Sequence, residues 1–171
     1  MPFRGFSRKQ AVRRFAPLVL QKRYAIINAL AVAATTQTDI TLASVAVATV
    51  GVTDVDIGNK IRSIYLQFSC VKSVAEGAPI RVIVYKNTTA LGDAVATAYD
   101  DKPWRDQIFF VADYMASTIA AGHPQIITAR LKVPVRFQKM MSGDKIRLGV
   151  VSPGGTGTYS ITGVAAYMVS S

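Results

Sequence analysis

Arg62-Ser63-Ile64-Tyr65-Leu66-Gln67-Phe68-Ser69-Cys70 alternates without a break. Arg62, Ile64, Leu66, Phe68 and Cys70 fall on one face, and Ser63, Tyr65, Gln67 and Ser69 on the other. Period two belongs to a half-buried β-strand, because successive Cβ atoms of an extended chain point to opposite sides. The same period recurs outward from this stretch. Ile127, Ala129, Leu131, Val133 and Val135 alternate with Thr128, Arg130, Lys132 and Pro134. Ile146, Leu148 and Val150 alternate with Lys145 and Arg147, and Tyr159, Ile161, Ala165, Tyr167 and Val169 share a face. Two runs, Ile80 to Tyr85 and Ile108 to Val111, are rich in β-branched and aromatic residues and read as strands covered on both faces. Residues 24–34 and 38–50 are also strand-like, although alanine leaves the first ambiguous with helix.

Turn chemistry separates the runs: Asp56-Ile57-Gly58-Asn59, Glu76-Gly77-Ala78-Pro79, Gly122-His123-Pro124, Ser142-Gly143-Asp144 and Pro153-Gly154-Gly155. About eight strands without a convincing amphipathic helix predict an all-β sandwich or barrel. One long connection, 87–106, contains Asp100, Asp101, Pro103 and Trp104 and predicts a surface loop or short helix.

The chain has 171 residues and a formal net charge of +10. Half of it is apolar and 18% is charged, which excludes a disordered polyelectrolyte. Arg4, Arg8, Lys9, Arg13, Arg14, Lys22 and Arg23 crowd the first 23 residues, which hold no acid. The division expected is a basic arm over 1–23 and a folded domain over 24–171, the latter nearly balanced. Phe3, Phe6 and Phe15 interleave with the cations. Cations neutralise phosphates and aromatic rings stack on unpaired bases, so these ten residues are the candidate nucleic-acid-binding set. A solvated tail is the plainer reading. A targeting segment is another, either a presequence or a signal ending near Ala34. No apolar run is long enough for a membrane helix.

Catalytic chemistry has little to stand on. His123 is the sole histidine and sits in a turn signal; Cys70 is the sole cysteine. One of each excludes the usual structural zinc patterns and leaves a catalytic triad dependent on a turn residue. Gly154, Gly155 and Gly157 precede a strand rather than a helix, so they read as a hairpin and not a phosphate cradle. Asp54 and Asp56 begin like a calcium loop, but Ile57 breaks the spacing. Asp100 and Asp101 are adjacent and do not form an acid–base pair in a regular strand. Asn87-Thr88-Thr89 matches a glycosylation acceptor, which matters only in a secreted protein. The expectation is a non-enzyme without metal or cofactor.

A basic arm before an eight-stranded sandwich is the plan of many small icosahedral capsid proteins. The chain resembles capsid proteins of the small circular, Rep-encoding single-stranded DNA viruses, a group that includes circoviruses and nanoviruses. The resemblance is one of pattern and covers most of the chain loosely. It lies in Phe3-Arg4-Gly5-Phe6-Ser7-Arg8-Lys9, Lys60-Ile61-Arg62-Ser63-Ile64-Tyr65-Leu66, Pro134-Val135-Arg136-Phe137, Gly143-Asp144-Lys145-Ile146-Arg147-Leu148 and Thr162-Gly163-Val164-Ala165-Ala166-Tyr167. It implies a single antiparallel jelly roll that self-assembles into a small icosahedral shell of about 60 subunits, with the arm turned inward on single-stranded DNA. It places the protein in the virion, and in the host nucleus or cytoplasm during assembly. The same plan packaging RNA, a secreted jelly-roll binding module and a metal-dependent jelly-roll enzyme are the alternatives; the last needs a histidine cluster that the chain lacks.

Overall fold

The computed structural model describes residues 20–45, 55, 57–87, 106–114 and 121–170. Eight strands follow one another: β1 (Leu20–Ala33), β2 (Thr38–Ser44), β3 (Lys60–Lys72), β4 (Ile80–Lys86), β5 (Ile108–Tyr114), β6 (Pro124–Lys132), β7 (Lys145–Val151) and β8 (Thr158–Ser170). One helical turn, α1 (Val135–Gln138), lies between β6 and β7.

The pairing is nested: β1 with β8, β2 with β7, β3 with β6 and β4 with β5, all antiparallel. A chain doubled back between β4 and β5 forms one long ribbon of such pairs. Rolling the ribbon drops alternate pairs into two facing sheets, ordered β1-β8-β3-β6 and β2-β7-β4-β5. That is the jelly roll, as expected.

The core lies between the sheets. Ile64, Leu66, Phe68 and Cys70 of β3 are buried there, with Tyr159, Ile161, Ala165, Tyr167 and Val169 of β8 and Ile146, Leu148 and Val150 of β7. Each large apolar side chain so buried contributes about 1.5–3 kcal/mol relative to exposure. One polar strut crosses the core. The Tyr159 hydroxyl lies 2.6 Å from the Val150 carbonyl and 2.9 Å from the Thr36 carbonyl, joining β8 to the opposite sheet.

Four of the five turn readings hold, whereas Glu76-Gly77-Ala78-Pro79 is loop without a turn. Gly58, Gly122, Gly143 and Gly154 all have positive φ. At Gly143 (φ +82°) the reversal lets the Asp144 carboxylate accept from the Met141 amide at 2.8 Å and pair with Lys86 at 2.7 Å.

Four further details depart from expectation. β1 begins at Leu20 and pairs Leu20 with Ser170, so Lys22 and Arg23, counted above with the arm, are sheet residues. Arg62 does not share the face of Ile64: the register shifts between Ile61 and Ser63, and Ile61 takes the buried position. β6 stops at Lys132 rather than running through Val135. Pro134 cannot donate to a ladder, the chain turns into α1, and Val135 is 83% exposed. β5 is an edge strand whose Phe109, Phe110 and Val111 are half-buried, whereas β4 is covered on both faces as expected. Residues 46–50 of the expected 38–50 strand lie outside the described residues, as do Asp54, Asp56 and positions 88–105.

Candidate nucleic-acid interface

Charge is divided between the sheets. The strands of the β1-β8-β3-β6 sheet carry Lys22, Arg23, Lys60, Arg62, Lys72, Arg130 and Lys132 and no carboxylate. The strands of the other sheet carry Arg81, Lys86, Lys145 and Arg147 with Asp39 and Asp113. The strands of the first sheet are therefore the more basic of the two.

Not every cation of the basic sheet is available. Lys72 is buried against Glu76 at 3.1 Å, and Arg62 is held by Ser170 Oγ at 3.0 Å and Gln138 Oε1 at 2.9 Å. Arg23 is half-buried and donates to Gln21 Oε1 at 3.2 Å. Lys22, Arg130 and Lys132 are exposed and enter no ion pair among the described residues.

Strand register decides what surrounds these three. Odd-numbered residues of β1 such as Ala25, Ile27 and Ala29 pack on the core, so Lys22, Tyr24 and Ile26 face outward. One outward row runs Tyr24, Ala166, Tyr65, Arg130 across β1, β8, β3 and β6; the adjoining row runs Lys22, Met168, Ser63, Lys132. Lys22 Nζ lies 5.1 Å from the Tyr24 ring centre and the Arg130 guanidinium 5.4 Å from that of Tyr65, both within cation–π reach. Between the two tyrosines the small Ala166 leaves the floor low. A depression of about 630 Å³ opens over Lys22, Tyr65, Arg130, Lys132, Ala166 and Met168. A second, of about 410 Å³, continues beside Tyr24 and Val164. Cations without an ion pair, beside an exposed Tyr24 ring and a half-buried Tyr65 ring, can neutralise phosphates and stack on bases.

Of the candidates expected from sequence, Lys22 lies in this depression and Arg23 does not. Phe3, Arg4, Phe6, Arg8, Lys9, Arg13, Arg14 and Phe15 lie outside the described residues. Tyr24, Tyr65, Arg130 and Lys132 were not among those candidates. The polar phase of the Arg62–Cys70 and Ile127–Val135 alternations contained three of them, but only the β3–β6 register puts Tyr65 opposite Arg130.

The residues lining the larger depression include no histidine, cysteine or carboxylate. Among the described residues no group of three His, Cys, Asp or Glu gathers as a metal site, and His123 is an exposed turn residue. Burial pushes the Cys70 thiol up to about 11, against a small opposing pull from Lys72, so it stays protonated at neutral pH. No helix of the described residues is long and apolar enough to cross a membrane.

No family model and no curated protein matches the chain. Similar solved structures include that of the infectious bursal disease virus Gx strain, with TM-score 0.40, 15% identity and coverage of 86% of this chain and 32% of that one. Dimeric latent PorU from Porphyromonas gingivalis gives 0.42, 8%, 90% and 13%, and Mud crab tombus-like virus gives 0.36, 10%, 99% and 88%. The chain thus spans about a third of the first and about an eighth of the second. At these scores and identities the likenesses assign no function.

Proposed function

We propose that the chain is a viral capsid protein that builds a closed shell around a single-stranded genome. The observation that carries this reading is a jelly roll whose one acid-free sheet is entered directly from the acid-free N-terminal sequence. Charge in the arm is then continuous in sequence with charge on one sheet of the wall, a pattern suited to lining an interior. A subunit of this kind needs no cofactor or metal and catalyses nothing.

In this reading Arg4, Arg8, Lys9, Arg13, Arg14 and Lys22 attract the genome, and Phe3, Phe6 and Phe15 stack on its bases. About 60 copies of six such cations balance roughly 360 phosphates, which suits a small genome or one segment of a divided one. DNA is favoured over RNA by the sequence resemblance alone, since phosphate contacts do not distinguish the sugars.

Negative-stain microscopy of the purified protein, with its 260/280 nm absorbance ratio, tests the assignment. Uniform shells rich in nucleic acid are expected, and their absence overturns it. Neutral substitution of Arg4, Arg8, Lys9, Arg13 and Arg14 tests the arm. Packaging should fall steeply, and a variant that packages like wild type with unchanged salt dependence removes the arm from this role.

A further inference from the structure

We infer that the outer face of the β1-β8-β3-β6 sheet holds a nucleotide-binding groove of its own, in which an unpaired base inserts between Tyr24 and Tyr65 above Ala166. The inference rests on the packaging reading but adds a site on the folded wall to the charge of the arm.

Three observations meet here. The first is ring placement. Tyr24 and Tyr65 are each aligned with Ala166, one from β1 and one from β3. Two strand spacings separate their backbones by about 9–10 Å. A flat base in contact with two rings needs about 7–8 Å, so a modest lean of either tyrosine closes the sandwich. The second is the floor. Ala166 is 8% exposed and carries one methyl group, so nothing rises between the rings. The third is charge. Lys22, Arg130 and Lys132 border the depression over Tyr65 and Ala166, Lys22 also borders the adjoining one beside Tyr24, and the four strands beneath hold no carboxylate. Phosphates on both sides of an inserted base would meet cations, while an acidic side chain that would repel them is missing from these strands.

Charge complementarity selects the occupant. A second copy of the chain pairing through this same face would bring cations against cations. A duplex keeps its bases stacked inside and offers none to the tyrosines. A single strand offers both phosphates and free π-faces. Stacking accepts any base, so sequence preference should be slight.

The test uses the full-length chain, stripped of bound nucleic acid at high salt and returned to moderate salt, with dye-labelled oligo-dT and oligo-rU as probes. Anisotropy should show Tyr24→Leu and Tyr65→Leu each weakening binding about tenfold, and the double variant more. Lys132→Gln and Arg130→Gln should lower the salt dependence instead. Circular dichroism confirms that each variant is folded. Photocrosslinking with iodouracil-substituted probes should mark the peptides containing Tyr24 or Tyr65, a direct readout independent of assembly. Equal loss with both probes fits readout by base and phosphate, and loss with one alone assigns the sugar. The inference is overturned if crosslinks fall only on other peptides and the tyrosine variants bind like wild type. It also falls if those variants keep their affinity but stop forming particles, which makes the face a subunit contact. Absence of shells in wild type defeats the capsid reading separately, whatever the crosslinks show.

Discussion

Tyr24 of β1 and Tyr65 of β3 are register partners of the same residue, Ala166, from its two sides. Their spacing depends on Ala166 staying small. Ala166→Leu should fill the groove, removing no cation and no ring. Ala166 is buried by its neighbours but lines the depression and is not part of the core cluster, so the longer side chain grows outward and a large unfolding change is not expected. Oligonucleotide affinity should drop about tenfold with its salt dependence intact. Retained affinity places the bound strand elsewhere.

Gly163 sets the close approach of β8 to β3. A Cβ there would stand 2.3 Å from the Gln67 carbonyl oxygen and 2.4 Å from Phe68 Cα. Backbone cannot swing aside as a side chain does. Gly163→Ala should cost about 1–3 kcal/mol or more, seen as a lower urea midpoint or as insoluble protein. An unchanged midpoint shows that the two strands separate more readily than the packing implies.

The Tyr159 strut gives a third expectation. Tyr159→Phe keeps the ring and its burial but withdraws the hydroxyl from the Val150 and Thr36 carbonyls. Losing a hydrogen bond to a buried carbonyl costs about 1–3 kcal/mol. Denaturant titration should show that loss without a change in slope, since the surface buried on folding stays the same.

Glu76 ties two loops together. Burial raises its pKa, but the Thr156 amide at 2.6 Å, the Thr156 hydroxyl at 3.0 Å and Lys72 at 3.1 Å outweigh burial and hold the carboxyl below its usual range. A pKa lowered on folding adds stability that is complete above the unfolded value, near about 4.3, and is lost as pH falls through the folded value. Asp113, lowered by the two hydrogen bonds of Arg81 at 2.8 Å, acts in the same direction. Glu76→Gln should therefore be less stable at neutral pH, where buried Lys72 loses its counter-charge. It should also lose less on acidification, Asp113 keeping a residual slope. A variant with the wild-type acid profile would dissociate Glu76 from the effect.

The fold was legible because burial in this chain follows strict alternation. β3 and β8 could be read nearly residue by residue from Ile64 to Cys70 and from Tyr159 to Val169. The misses are local and have backbone causes. The shift between Ile61 and Ser63 moves Arg62 off the expected face, and Pro134 ends β6 before Val135. The groove was not legible for a different reason. Net charge beyond residue 23 sums the cations of the β1-β8-β3-β6 sheet with carboxylates that stand elsewhere in the chain, so the sum hides the acid-free sheet. Tyr24, Tyr65 and Arg130 are far apart in sequence, and only pairing through Ala166 and the β3–β6 ladder brings them together.

Sedimentation velocity at micromolar protein and moderate salt, recorded at 260 and 280 nm, tests the central claim most directly. A shell subunit carrying its genome predicts one fast boundary in which both absorbances move together and the nucleic acid resists nuclease. A slow boundary of free 18.4 kDa protein, with no nuclease-protected nucleic acid, would contradict it.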